Sequence, residues 1–234
     1  MSEPSGPDTQ DAVEAAPFIA ELAAYFDAPM DPGNVGRFDI ELNLLDRAES
    51  DALTMALQDL SLMRAYGGVV LDDGNTSDHH VYLTRGPFAG AILFLCHNGE
   101  ASSVVFASLA EFLDAARQAR ENDAWLTDFH PSTTPLHRDQ AALGSYLHAL
   151  LDSDNEDDEA VVESAILSLA PVDMGLLMRL AKHRNFFYAE AVAGQIALYP
   201  AAALRPIAQL CSEHSMPQVR WAGDSAVTAI DQLG

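Results

Sequence analysis

The side chains of this 234-residue chain that could do chemistry are histidines, cysteines and carboxylates gathered at a few places. His79 and His80 are adjacent, Cys96 precedes His97, and Cys211 lies close before His214, which invites a zinc reading because imidazole and thiolate are common zinc ligands. Adjacent residues on a strand point to opposite faces, so neither His79 with His80 nor Cys96 with His97 can converge on one ion as a unit. A spatial meeting of His80 with His97 stays open. The expectation for these histidines is a place at strand ends, half in solvent.

A second concentration is Asp72, Asp73, Asn75 and Asp78, hard oxygen donors crowded into one loop as calcium requires. The EF-hand pattern needs glycine at its sixth position and glutamate at its twelfth, and neither falls in place. Asp and Asn side chains satisfy turn backbone groups by themselves, so the loop reads as a turn without metal. Glu111 with Asp114, and Glu156 with Glu159, resemble the carboxylate pairs of acid–base catalysis. Without a pocket to shift one member of either pair, they read as solvated faces. There is no nucleophile elbow, phosphate loop or dinucleotide fingerprint. The expectation is a chain with no catalytic residue, metal or cofactor.

The elements that carry these residues follow from hydrophobic period. Residues 69–71, 81–84, 91–96 and 104–106 are rich in β-branched, aromatic and long aliphatic side chains and are bounded by turn formers, which predicts a small antiparallel meander. Phe18, Leu22, Tyr25 and Phe26 recur at helical spacing, predicting a helix over 13–26 after a disordered segment 1–12. Phe38, Ile40 and Leu42 alternate with polar residues and suggest an added edge strand. Leu53, Leu57, Leu60 and Met63 predict one helix over 46–66 that ends at Gly67-Gly68, and another helix starts at Ser108.

Residues 123–140 read as a connector, and from 141 to 234 the chain reads as helical hairpins with Pro171, Pro200 and Pro217 at the joints. The acidic run 152–159 is expected to be a mobile, dispensable loop. The fold class expected is α+β, a small antiparallel sheet flanked by helices within 13–122, followed by an all-α helical-hairpin domain over 141–234.

The ordered set Gly67-Gly68, Asp72-Asp73-Gly74, Tyr82, Gly86-Pro87, His97, Phe106 and the helix start at 108–113 resembles the core of the SUKH superfamily. That group is named after a yeast cell-wall assembly regulator and is abundant in bacteria beside secreted toxins. The likeness spans about residues 46–119. Near the C-terminus, the segment Pro217-Gln-Val-Arg-Trp resembles the second helix of a HEAT-like repeat. Shifting Tyr188, Val192, Ala193 and Ile196 by about thirty-four residues lands on Ala222, Ala226, Val227 and Ile230, although a plain helical bundle accounts for the pattern as well. The SUKH resemblance implies a bacterial immunity protein that binds a cognate polymorphic toxin, often a nuclease, and occludes its active site. The expected contact residues are Asp72, Asp73, Asp78 and Glu100 at strand ends, with Tyr82 and Phe88 as anchors.

Charge points the same way. Against 12 basic residues the chain sets 35 acidic ones, for a formal net charge of -23. Such a field repels nucleic acid and anionic membranes and steers a basic partner inward. Two cysteines make no disulfide framework, the first residues lack a secretory signal pattern, and no apolar run reaches the roughly 18 residues of a membrane span, so a cytoplasmic location is expected. The alternative reading is an intracellular scaffold or regulator that binds a protein through the helical half.

Overall fold

Those β-branched runs become four strands in the computed structural model of the chain, which describes residues 9–97, 101–153 and 155–233, with side chains from residue 17 onward. They are β1 (Gly68–Val70), β2 (His79–Leu83), β3 (Ile92–Leu95) and β4 (Ser103–Phe106). Hydrogen-bonded in the order β1-β2-β3-β4 and antiparallel throughout, they form the expected meander. A small antiparallel sheet flanked by helices, followed by a mostly helical region, is therefore the architecture. By contact the chain divides into units 1–135 and 136–234, so most of the segment read as a connector belongs with the sheet.

Helices pack on the sheet, and its strands are buried at nearly every residue rather than on one face alone. Tyr82 and Ile92 face helix α1 (Thr9–Asp27), through Leu22 and Phe18, and helix α4 (Leu109–Asn122), through Leu109, Phe112 and Ala116. Ser108 fixes the start of α4 by accepting a hydrogen bond from the Glu111 N–H at 3.2 Å. Helix α1 begins at Thr9, so residues 9–12, expected to be disordered, are helical, and residues 1–8 lie outside the described residues.

Two expectations need correction. The alternation at Phe38 to Leu42 is not a strand: Phe38–Ile40 form a 3-10 turn, and Glu41 turns the chain at φ 53°. Contact with the sheet is made one step later, where Leu44 bridges to Asp72. The single helix over 46–66 is two, α2 (Arg47–Leu57) and α3 (Ser61–Tyr66), because they do different jobs. Helix α2, opened by a capping box between Asp46 and Glu49, lies along β1, whose outer edge would otherwise present unpaired backbone groups. Ser50 donates to the Val70 carbonyl at 2.5 Å, and Thr54 accepts from the Val70 N–H at 2.9 Å. Helix α3 instead buries Leu62, Met63 and Tyr66 and ends at Gly67, which takes φ 57°.

The second unit contains α5 (Gln140–Ser153), α6 (Glu159–Ile166), α7 (Met174–Ala181), α8 (Phe186–Leu198), α9 (Arg205–Ser212) and α10 (Pro217–Asp231). Asp173 and Asn185 cap α7 and α8, and Pro217 opens α10. A Cβ on Gly223 would fall 2.2 Å from the Ser212 nitrogen, so α10 crosses the end of α9 at backbone contact. The acidic run is less free than its composition suggests. Helix α5 continues through Ser153, Asp152 pairs with Arg179 at 2.6 Å, and Glu156 pairs with Arg184 at 3.3 Å. Among the described residues no helix is long and apolar enough to cross a membrane.

Candidate functional site

Strand β2 begins with two histidines whose side chains must point to opposite faces, and both are buried rather than half in solvent. The Nδ1–H of His79 donates to the Asp72 carbonyl at 3.2 Å. On the other face, at 2 % exposure, His80 sits among the rings of Phe94, Phe106 and Phe112. A polar ring in such a place needs partners. Asp72, which follows β1 and bridges to Leu44, supplies the first. Its Oδ1 accepts from the His80 backbone N–H at 2.6 Å, and its Oδ2 accepts from the His80 Nδ1–H at 2.6 Å. The carboxylate is itself buried, with 3 % exposure.

The second partner comes from far along the chain. After α4, Asp123 takes φ 51° and turns the backbone, Leu126 buries itself, and the turn Leu126–Phe129 delivers His130 onto the sheet. The His130 Nε2 lies 2.8 Å from the His80 Nε2, and its ring packs edge-on against Phe94 at 4.7 Å. The Asp72 oxygens can only accept, so His80 carries a proton on Nδ1, and of the two facing Nε2 atoms one donates and the other accepts. The Nδ1 of His130 has no hydrogen-bond partner among the described residues. Burial, reinforced by the His80 ring beside it and opposed by Asp72, pulls the His130 pKa from the usual 6.5 to about 4.

Asp72, His80 and His130 border a cavity of about 500 Å³. Glu41 and Asp78 add carboxylates to its wall, Thr76, Ser103 and Thr133 add hydroxyls, and Trp125, 54 % exposed, stands at its margin. A general base works best with a pKa near the operating pH, so an imidazole near 4 is suited to accepting hydrogen bonds more than to removing protons at neutral pH. Among the described residues no group of three or more His, Cys, Asp or Glu side chains is placed to hold a metal.

The residues expected to make partner contacts separate into two groups. Asp73 and Asp78 are partly exposed on the β1–β2 loop, where the Asp73 carboxylate accepts from the Asn75 N–H at 3.0 Å and Asp78 accepts from the His97 N–H at 2.7 Å. His97 is thus tied to Asp78, and the imidazole that meets His80 is His130. Asp72, Tyr82 and Phe88 are inside. Asp72 is occupied with His80. Tyr82, with no exposure, donates its hydroxyl to Glu21 at 2.5 Å, and burial together with that bond raises its pKa. Phe88 packs edge-on against Tyr66 with centroids 5.4 Å apart. These three offer little surface to a partner, Asp72 because His80 holds it inside and the rings of Tyr82 and Phe88 because apolar bodies are drawn into the core. Glu100 lies outside the described residues. His130 was not singled out from sequence, and the only local hint was the run of hydroxyl residues behind it in a segment without periodicity.

Comparison of the chain with protein-family models, with curated proteins and with solved structures finds no match.

Proposed function

We propose that the chain is a non-catalytic binding protein of immunity type, which captures a basic toxin domain and occludes its active site. The observation that carries the reading is the concave, carboxylate-bearing surface of the sheet unit in a chain of net charge -23. A nuclease must present positive charge to phosphate, and an inhibitor that mimics the negative ligand gains both steering and complementarity. The SUKH-like order of strands and turns agrees with that role, and the helical unit, read as HEAT-like, would serve as a companion scaffold. Expressing the chain together with a basic, nuclease-type toxin domain from a neighbouring gene tests the reading. Restored growth and a stable complex whose association slows as salt rises support it; neither protection nor complex contradicts it.

A second reading has an observation of its own. On the helical unit Val172, Phe187, Leu198 and Trp221 are exposed apolar side chains, with Trp221 at 70 %. A scaffold or regulator that docks its partner on these helices would use such anchors. In that case the sheet-side carboxylates contribute nothing to binding.

A further inference from the structure

We propose that the cavity beside Asp72, His80 and His130 receives an arginine side chain of a protein partner, a step that rests on reading the chain as a binder of a basic protein. Carboxylates are the charged groups that recur around the cavity. Glu41 and Asp78 bring carboxylates; that of Asp78 is held by a hydrogen bond, and for Glu41 it is the backbone that is packed closely. The Asp78 carboxylate accepts from the His97 backbone at 2.7 Å, and the Glu41 carbonyl lies so near Gly74 that a Cβ there would come within 2.6 Å.

The imidazole of His130, joined to buried Asp72 through His80, has its Nδ1 without a hydrogen-bond partner among the described residues, and it accepts a donor in the tautomer protonated on Nε2. Hydroxyls of Ser103 and Thr133 can rotate to offer lone pairs as well. A ligand that satisfies acceptors on several sides must be rich in donors and positive.

Of the two basic side chains, arginine fits better. Its planar guanidinium spreads five donors over a fork, whereas a lysine ammonium concentrates three at a point. The exposed indole of Trp125 at the margin offers a π face on which a guanidinium can stack. At about 500 Å³ the cavity has room for the side chain and the backbone that carries it.

The chain's two tryptophans allow a direct measurement. In a Trp221→Phe background the fluorescence reports Trp125 alone, and the probes are the tripeptide Gly-Arg-Gly and its uncharged isostere Gly-citrulline-Gly. The arginine peptide is expected to give a saturable change, with the citrulline peptide weaker by about tenfold or more, the worth of a charge-assisted bond. The double variant Glu41→Gln, Asp78→Asn should weaken the arginine peptide by a similar factor. No saturable response, or an equal response to both peptides, overturns the proposal on the protein with its pocket unaltered, whether or not the double variant folds. Measuring the same double variant in complex with the toxin domain separates the two readings. A wild-type complex that the variant leaves unchanged overturns the cavity assignment and leaves the binder reading standing. Specific arginine binding without any toxin complex does the reverse.

Discussion

Asp72 is the residue on which the site depends, and its role is opposite to the one its sequence suggests. Followed by Asp and Gly, it reads as an exposed turn carboxylate, but the bridge to Leu44 and the hydrogen bonds from His80 keep it inside. Replacing it by asparagine leaves an acceptor for the His80 backbone but puts an amide N–H₂ against Nδ1. His80 must then carry its proton on Nε2. Imidazole ¹⁵N shifts should show His80 Nδ1 protonated in the native protein and unprotonated in Asp72→Asn; an Nδ1 unchanged between the two contradicts the bonds described here. The same variant should lose about 2 kcal/mol in urea unfolding, within the range for hydrogen bonds to a charged group. His130 adds a pH dependence whose sign is fixed by its lowered pKa. Above pH 6.5 the ring is neutral folded and unfolded; between 6.5 and about 4 only the unfolded chain takes the proton, so stability falls as pH falls through that window and levels off below it. Allowing for partial exposure, the effect is roughly 2 kcal/mol. Since carboxylates titrate nearby, the check is a comparison: His130→Phe should show a shallower loss of stability between pH 6.5 and 4 than the native protein. An identical slope would mean that the ring is not shielded.

At the scale of elements, strands and helices were legible because period 2 and period 3.6 are written into short windows, and strand limits moved by only a residue or two. What was not legible depended on contacts between distant segments. The break between α2 and α3 exists because one helix seals the β1 edge while the other buries Tyr66, and no local breaker marks it. His130 reaches His80 across fifty residues from a stretch with no periodicity. The burial of Tyr82 and Phe88 follows from helices packed on the sheet, which the strand pattern alone does not specify. Two substitutions test these packings. Ser50→Ala leaves the Val70 carbonyl without its buried donor and should cost about 1–3 kcal/mol in thermal or urea unfolding. Gly223→Ala forces α10 away from the backbone of Ser212 and should destabilise the helical unit by about 2 kcal/mol, while the sheet unit keeps its native hydrogen-exchange protection. A neutral Gly223→Ala would show that the helices cross with more room than described.

For the whole molecule, the two units and the net charge of -23 leave one question on which the proposed function turns: which unit carries the binding surface. Composition alone argued for a basic partner, but a field of this size acts on encounter from every side and does not select a face. The structure contributes a difference between the units, with a carboxylate-lined cavity on the first and exposed apolar side chains such as Val172 and Trp221 on the second. Hydrogen exchange followed peptide by peptide, with and without a basic toxin domain of the proposed kind, tests the account most directly. It predicts slowed exchange on complex formation in residues 72–80, 94–97 and 123–134, around Asp78, Trp125 and His130, with the helices after Glu159 unchanged. Protection confined to residues 159–233 would contradict it and move the binding surface to the helical unit.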